Sequence, residues 1–151
     1  MQGEATIHVE ASPEAVYDLV SDVRRMGDWS PECVRAEWVD GATGPAVGAK
    51  FKGHNQLGRF VRWSTTPEVT VAEPGREFAF RTKETVWRYR LTPGAGGTGT
   101  DVTESFETVS YGRAMQLIEP ERKRRPQMVD GMQETLRRLK AAAESARSGE
   151  H

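Results

Sequence analysis

The chain begins with an alternation of apolar and polar residues that is typical of a half-buried strand. Over residues 4–11, the apolar side chains of Ala5, Ile7, Val9 and Ala11 alternate with polar ones. A period of two places all four on one face of a strand. The pattern therefore predicts a first strand with one face turned toward a core.

Two short helices are predicted directly after this strand. Ser12 is a good N-cap, and Pro13 stands at the first helical position, where its missing N–H costs nothing. An apolar stripe then indicates a helix over about 13–22. A second short helix is predicted over 23–29 and ends before Pro31, because the residue preceding a proline is disfavoured in the α region.

The middle of the chain has the pattern of consecutive strands separated by turn residues. Short segments rich in Gly and Pro connect the strands. Connections this short join antiparallel neighbours, since a parallel pair needs a long crossover. The predicted strands cover residues 33–39, 48–55, 59–72, 76–83, 86–92 and 100–109.

A long helix is predicted over residues 126–146, where Val129, Met132, Leu136 and Leu139 recur at spacings of three and four. The element order predicts an α+β fold in which a curved seven-stranded antiparallel sheet covers this helix. Seven strands offer a larger face than one helix can fill. Part of the concave face must therefore be packed by large side chains or left as a cavity.

Length and composition narrow the class of protein. With 151 residues, 36% hydrophobic side chains and a net charge of −1, the chain has the size of one domain and no overall field that attracts nucleic acid. The single cysteine excludes an internal disulfide framework and a cysteine-rich zinc site. No apolar run reaches the ~18 residues of a membrane span, and no signal pattern opens the chain. We therefore expect a cytoplasmic protein, and the excess of arginine over lysine favours a bacterial source.

Segments spread over almost the whole chain carry a family resemblance. They are ASPEAVYDLVSD (11–22), WSP (29–31), VGAKF (47–51), EPGREFAF (73–80), WRYRL (87–91), TDVTESFE (100–107) and GMQETLRRLKAAAE (131–144). Together they resemble the START-like (SRPBCC) superfamily of Bet v 1 allergens, lipid-transfer domains and polyketide cyclase/dehydrase-type proteins. The resemblance implies a helix-grip architecture with an apolar pocket, in one ligand-binding domain over 1–147. The last residues, 148–151, are expected to form a disordered tail, as chain ends often do. It does not select a function, because this fold hosts carriers, cyclases and receptors.

The inner face of the sheet is the candidate ligand site. Glu104 shares a strand face with Val102 and Phe106, which predicts an inward carboxylate that acts as a ligand anchor or as a general acid or base. Burial of an unpaired carboxylate is costly and raises its pKa. The alternative is a strand twist that turns Glu104 toward solvent or an arginine. The residues predicted to line the cavity are Phe51, Asn55, Trp63, Trp87, Tyr89, Glu104, Phe106, Met115 and Met132.

Other chemical signals are weaker. The glycines of residues 94–99 match the spacing of a dinucleotide-binding motif, but a strand follows where that motif needs a helix, so a hairpin turn is predicted. His8 and His54 are predicted to point outward without the spacing of a ligand set, and no metal or other cofactor is expected. Cys33 is predicted to be a small buried residue rather than a nucleophile.

A run of four basic residues, 122–125, is predicted just before the last helix, where cations oppose the helix dipole. It is either a solvated turn or a contact for an anionic partner such as a lipid head group, a phosphate or an acidic protein surface. Met115 lies in the irregular stretch before it, which is either a mobile lid or a loop packed on the sheet edge.

The predicted function is binding or transport of one small hydrophobic or amphipathic molecule by a monomer or homodimer. One alternative is an enzyme of the polyketide aromatase/cyclase or dehydratase kind, in which a carboxylate or Tyr89 moves protons. A second alternative is a protein-binding regulatory domain that uses the basic run. Nucleic-acid binding is not expected, because the chain lacks a net basic face with interleaved aromatic residues.

Overall fold

Eight strands and three α-helices make up most of the part of the chain that the computed structural model describes, residues 1–108 and 121–148. The strands are β1 Gln2–Val9, β2 Cys33–Val39, β3 Lys50–Leu57, β4 Val61–Thr65, β5 Glu68–Glu73, β6 Glu77–Arg81, β7 Thr85–Pro93 and β8 Thr100–Thr108. The helices are α1 Pro13–Val20, α2 Met26–Trp29 and α3 Glu121–Ser148, with a 3-10 turn, Val23–Arg25, before α2.

The strands form one antiparallel sheet in the order β1-β8-β7-β6-β5-β3-β2, and β4 pairs with β3 beside this path. The seven strands of the path curve into a half-barrel around α3, and α3 packs chiefly on β1. The predicted α+β helix-grip architecture is therefore confirmed. Of the helices that the structure describes, none combines the length and apolar character needed to cross a bilayer.

The predicted strand over 59–72 is wrong, because this segment forms two strands, β4 and β5, separated at Pro67. Proline has no N–H to donate to a strand ladder, and the carbonyl of Pro67 accepts a hydrogen bond from the N–H of Phe51 at 3.2 Å. The chain bends there. As a result β3 pairs with β4 along 53–57 and meets β5 at its other end, where Lys50 faces Glu68.

The last helix begins at Glu121, before the predicted start at Pro126. A proline inside a helix ordinarily costs about 3 kcal/mol, and contacts from outside hold this first turn. The Arg124 guanidinium donates to both carboxylate oxygens of Glu32, at 2.7 Å and 3.0 Å. The Nε of Arg125 donates to a backbone carbonyl of β1 at 2.7 Å. The basic run is therefore part of α3 and does not form a turn before it.

The core lies between the C-terminal half of α3, the helix α1 and the sheet. Its buried side chains include Val9, Val16, Val20, Phe78, Leu91, Val102, Leu136 and Leu139. Gly3 allows α3 to approach β1 closely. A Cβ atom at Gly3 would lie 2.8 Å from the ring of Phe106 and 3.0 Å from a methyl group of Val129. Any side chain there would push the helix and the strand apart.

Polar contacts fix the C-terminal half of α3 to the end of β1. The Lys140 ammonium donates to the carbonyl of His8 at 2.8 Å, and the Glu144 carboxylate accepts from the backbone N–H of Glu10 at 2.9 Å. The His8 ring is 39% exposed and lies 2.8 Å from a carboxylate oxygen of Asp101 and 2.5 Å from one of Glu10. His8 thus points outward as predicted, although two carboxylates hold it.

Candidate functional site: a cavity between sheet and helix

A cavity of about 740 Å³ lies between the concave face of the sheet and the first turns of α3. Its sheet wall comes mainly from β3, β4, β6, β7 and β8, and its helix wall from residues 124–135. Aromatic and aliphatic side chains make up most of this wall, and a few polar groups are placed among them. Leu57, Gln127 and Asp130 belong to the wall and are exposed, so the cavity opens to solvent on this side.

Seven of the nine side chains predicted to line a cavity lie in this wall: Phe51, Asn55, Trp63, Trp87, Tyr89, Glu104 and Met132. Met115 lies outside the described residues. Phe106 is not a wall residue, which corrects the prediction. It faces inward but fills the space next to Gly3, and its ring packs on Trp87 at 5.5 Å between centroids. The cavity begins beyond Trp87.

Glu104 and Tyr89 face each other across β7 and β8 on the inner wall. Both are buried, at 3% and 6% exposure. Burial raises the pKa of the Glu104 carboxyl to about 8, and the hydrogen-bonding hydroxyl of Tyr89 offsets only part of this effect. Burial and the neighbouring Glu104 carboxyl raise the pKa of Tyr89 well above 10.

The part of the wall formed by Glu104 and Tyr89, here called the inner wall, is therefore mostly uncharged at neutral pH. With a pKa of about 8, most of the Glu104 carboxyl is protonated at pH 7. A protonated carboxyl carries an O–H donor that an ionised one lacks. The Tyr89 hydroxyl is neutral in the same range. This pair can donate hydrogen bonds to an acceptor in the cavity, and it can exchange a proton with one.

Cys33 and Asn55 add polar atoms to the wall where β2 pairs with β3. The Cys33 thiol donates to the carbonyl of Arg35 at 3.3 Å, and burial raises the pKa of the thiol. Because the thiolate is the reactive form, Cys33 is a small buried wall residue, as predicted. Within residues 1–108 and 121–148, no hydrogen bond of the Asn55 amide is present. That amide is available to a ligand.

The rim of the cavity contains its charged groups. Arg124 and Glu32 both lie in the wall and form the bidentate pair that holds the first turn of α3, with side chains 17% and 30% exposed. The Gln127 amide oxygen accepts a further bond from Arg124 at 3.4 Å. Among the wall residues that the structure describes, Arg124 is the one cation. Glu134, a further carboxylate of the wall, pairs with Arg137 and Arg138 on α3. The wall around Glu104 and Tyr89 is therefore neutral, and the other charged wall residues come from α3 and the segment before β2.

The glycine-rich segment 94–99 and His54 have structural roles. Residues 94–99 connect β7 and β8 as a hairpin turn, in which Gly97 and Gly99 adopt positive φ. His54 lies on the other face of β3, where its Nε2 is 2.8 Å from a carboxylate oxygen of Glu37. In the described part of the chain, no group of three or more His, Cys, Asp or Glu residues is arranged to hold a metal ion.

Several wall residues were missed by the sequence analysis. On α3, Met128 and Thr135 lie one turn before and after Met132, so the period that identified Met132 could have identified both. Phe80 alternates with the buried Phe78 on β6, and the same rule applies to it. The wall segment 30–33 carries no periodic signal, because it joins a helix to a strand.

Known proteins resemble this chain in sequence and in fold. The family model described as "Polyketide cyclase / dehydrase and lipid transport" matches residues 2–144. The Polyketide_cyc-like protein Cgl2372 from Corynebacterium glutamicum is 34% identical, with a TM-score of 0.67 over 99% of this chain and 95% of that one. These matches confirm the resemblance to the START-like and Bet v 1-like superfamily. A comparison with curated proteins gave no match.

More distant structures share the fold. The di-domain ARO/CYC StfQ from the steffimycin biosynthetic pathway is 15% identical, with a TM-score of 0.80 over 98% of this chain and 51% of that one. Protein CV1439 from Chromobacterium violaceum is 19% identical, with a TM-score of 0.68 over 95% of this chain and 97% of that one. At these identities the likeness concerns the fold alone.

Proposed function

Because the chain belongs to the polyketide cyclase/dehydrase and lipid transport family, we propose that it binds one small, largely hydrophobic molecule that carries a hydrogen-bond acceptor. The observation that supports this proposal best is the position of Glu104, a buried carboxyl on the inner wall of a cavity with aromatic walls. Its pKa of about 8 makes it a hydrogen-bond donor at neutral pH.

Size and wall chemistry support a ligand of this class. A volume of about 740 Å³ lies within the range of roughly 300–1,000 Å³ that is usual for small-molecule sites. Phe51, Trp63 and Trp87 present rings to the cavity, and such rings favour flat or extended apolar molecules. The few polar groups then fix the orientation of the ligand.

The neutral inner wall favours a ketone, an ester or a hydroxyl group over a carboxylate at the inner end of the ligand. An anion next to Glu104 and Tyr89 would find donors but no cation, because Arg124 is at the rim and already pairs with Glu32. An acceptor oxygen would instead receive a hydrogen bond from the Glu104 carboxyl. The Asn55 amide offers a second polar contact on another part of the wall.

The first experiment identifies the ligand. Native mass spectrometry of protein purified gently from a bacterial host is expected to show a stoichiometric adduct, which denaturation releases for identification. The affinity of the cavity is then measured with Nile red, a neutral fused-ring dye with one carbonyl acceptor. Absence of any adduct, together with no saturable binding of Nile red, would contradict the binding proposal itself.

The role of Glu104 is tested with two variants and a matched control. Glu104→Gln keeps a neutral donor, so the affinity for Nile red should stay within about threefold at pH 7 and should not change with pH. Glu104→Leu removes the donor and should weaken binding by about 5- to 150-fold, because the buried acceptor of the dye is left without a partner. The wild-type affinity should fall as pH rises through about 8, because a carboxylate cannot donate.

Glu107→Gln is the control, because Glu107 is an exposed carboxylate on the same strand. It should leave both the affinity and its pH dependence unchanged. Equal affinity of the wild-type protein and Glu104→Leu for Nile red would mean that Glu104 is not the anchor.

A second candidate function is an enzyme of the cyclase or dehydratase kind. The adjacent Glu104 and Tyr89 favour it, since two proton-bearing groups on one wall can protonate or polarise a substrate carbonyl. The test is incubation with a linear poly-β-ketone and analysis of products by mass spectrometry. Under this hypothesis Glu104→Gln abolishes turnover while it still binds Nile red. Equal product yields with and without protein would exclude this reaction.

A further inference from the structure

The hairpin that joins β3 to β4 exposes three apolar side chains at its tip. Phe60 is 91% exposed, Val61 55% and Leu57 40%. Single exposed apolar residues are common on protein surfaces. Three of them within five positions of one turn form a patch, and the hydrophobic core needs none of the three. A patch of this kind indicates contact with another apolar phase.

This tip is located at the opening of the cavity. Leu57 is itself a wall residue. The neighbouring Gln56 donates its backbone N–H to the carbonyl of Glu32 at 2.9 Å, and the Glu32 carboxylate binds Arg124. The base of the hairpin, the segment before β2 and the first turn of α3 therefore meet at one place on the surface.

Positive charge surrounds the patch. Arg59 and Arg62 flank Phe60 and Val61. The two arginines are exposed, and neither arginine forms an ion pair with a residue that the structure describes. The first turn of α3 adds the exposed Arg122 and Lys123 next to Arg124. Among the described carboxylates near this opening, Glu32 is neutralised by Arg124, and Asp130 is exposed farther along α3. The described side chains around the patch therefore carry a net positive charge.

We propose that these residues (Leu57, Arg59, Phe60, Val61, Arg62, Arg122 and Lys123, together the rim surface) dock on an anionic lipid bilayer, with Phe60 inserted below the head groups. Arginine side chains can extend to head-group phosphates while their stems lie along apolar surface. A bilayer fits better than a protein partner, because a narrow convex tip contacts little of a rigid surface but enters a soft one. Docking would place the cavity opening against the membrane.

The test uses the full-length protein and sedimentation of vesicles that contain no cavity ligand. Vesicles of phosphatidylcholine and phosphatidylglycerol, mixed at about 3:1, should bind the wild-type protein, and phosphatidylcholine alone should bind it much less. High salt should weaken the binding, as expected for contacts with charged head groups. Phe60→Ser should weaken it about tenfold or more, through loss of buried aromatic surface. Arg59→Gln combined with Arg62→Gln should have an effect of similar size.

Matched controls come from the far end of the sheet. Val47 is 71% exposed in the loop before β3, and the length of β3 separates it from the tip by about 25 Å. Val47→Ser and Arg76→Gln, an exposed arginine in the β5–β6 turn, should leave vesicle binding unchanged. All variants should retain the wild-type affinity for Nile red, which verifies that they fold.

Three results would overturn the proposal. The first two are no binding of the wild-type protein to anionic vesicles and equal losses from Val47→Ser and Phe60→Ser. A Phe60-dependent increase in mass on size-exclusion chromatography, without vesicle binding, would also overturn it and would identify a protein contact instead. The measurement needs no occupant in the cavity, so its failure leaves the ligand-binding proposal intact.

Discussion

The two halves of the concave face are built differently. On the half formed by β1 and β8, the helix α3 lies close to the sheet, because Gly3 has no side chain to separate them. On the half formed by β3 and β4, large side chains such as Trp63 line the wall and the helix stands away from them. Most of the first half is core, although Glu104 on β8 belongs to the cavity wall, and the second half lines the cavity.

The difference shows that strand alternation alone does not distinguish core from cavity. Val102 and Glu104 face the same side of β8, yet Val102 is fully buried in the core and Glu104 lies in the cavity wall. The position of α3 decides between the two, because this helix packs chiefly on β1 and only its first turns line the cavity.

Two matched truncations on α3 should separate the halves most clearly. Leu136 is 1% exposed in the core, and Leu136→Ala should lower the free energy of unfolding by about 2–5 kcal/mol. Met128 faces the cavity and is only half-buried, so Met128→Ala should cost less than about 1 kcal/mol but change the affinity for Nile red. Urea unfolding gives both values. Equal costs would mean that the two halves are packed alike.

Glu104→Gln should change how stability depends on pH. Folding raises the pKa of Glu104 from 4.5 to about 8, so the folded state binds more protons than the unfolded state between these values. The contribution of Glu104 to stability is therefore greatest below about pH 4.5 and decreases as pH rises to about 8, by up to several kcal/mol. Because the amide does not titrate, Glu104→Gln should become steadily more stable relative to wild type as pH rises over this range. A constant difference from pH 5 to 9 would contradict the buried position of Glu104, and Glu107→Gln should show no such trend.

The smallest effect is expected at His8, on the outer surface of the closely packed half. Hydrogen bonds that the protonated ring donates to the carboxylates of Asp101 first, and then of Glu10, raise the pKa of His8 above 6.5. The protonated ring stabilises the fold fully when the pH is below the pKa that His8 has in the unfolded chain. This stabilisation is lost as pH rises through the higher pKa that His8 has in the folded protein. Titration followed by NMR should show that Asp101→Asn lowers the pKa of His8, whereas Glu37→Gln, which affects only His54, should not. An unchanged pKa in Asp101→Asn would exclude this cause.

Most of the fold could be predicted from the sequence, because periodicity reports which face of an element is apolar. The strand Thr100–Thr108 alternates clearly, and the closing helix carries an apolar stripe around Leu136. The errors concern prolines. Pro67 divides a predicted strand, and Pro126 lies within a helix that was expected to begin there. At Pro126 the contacts of Arg124 with a distant part of the chain outweigh the preference of proline for the start of a helix. A local sequence pattern cannot reveal such contacts.

The candidate site could be predicted only in part. Inward orientation follows from alternation, and this rule identified Glu104 and Trp87 as facing the interior. It also placed Phe106 in the wall, because alternation does not state where along a strand the helix approaches. The Arg124–Glu32 pair joins residues that are 92 positions apart, and such a contact depends on the folded arrangement. The partnership of Glu104 with Tyr89 required the register of β7 and β8.

The bend at Pro67 has a consequence for how this fold can diversify. Since β4 pairs with β3 beside the main strand path, the seven strands of that path stay connected whatever the length or composition of the β3–β4 hairpin. Insertions and exchanges in this hairpin can therefore accumulate without damage to the folding unit, while they alter the entrance to its interior. For an engineer, residues 57–61 are the position at which a new recognition loop can be grafted onto an otherwise unchanged scaffold.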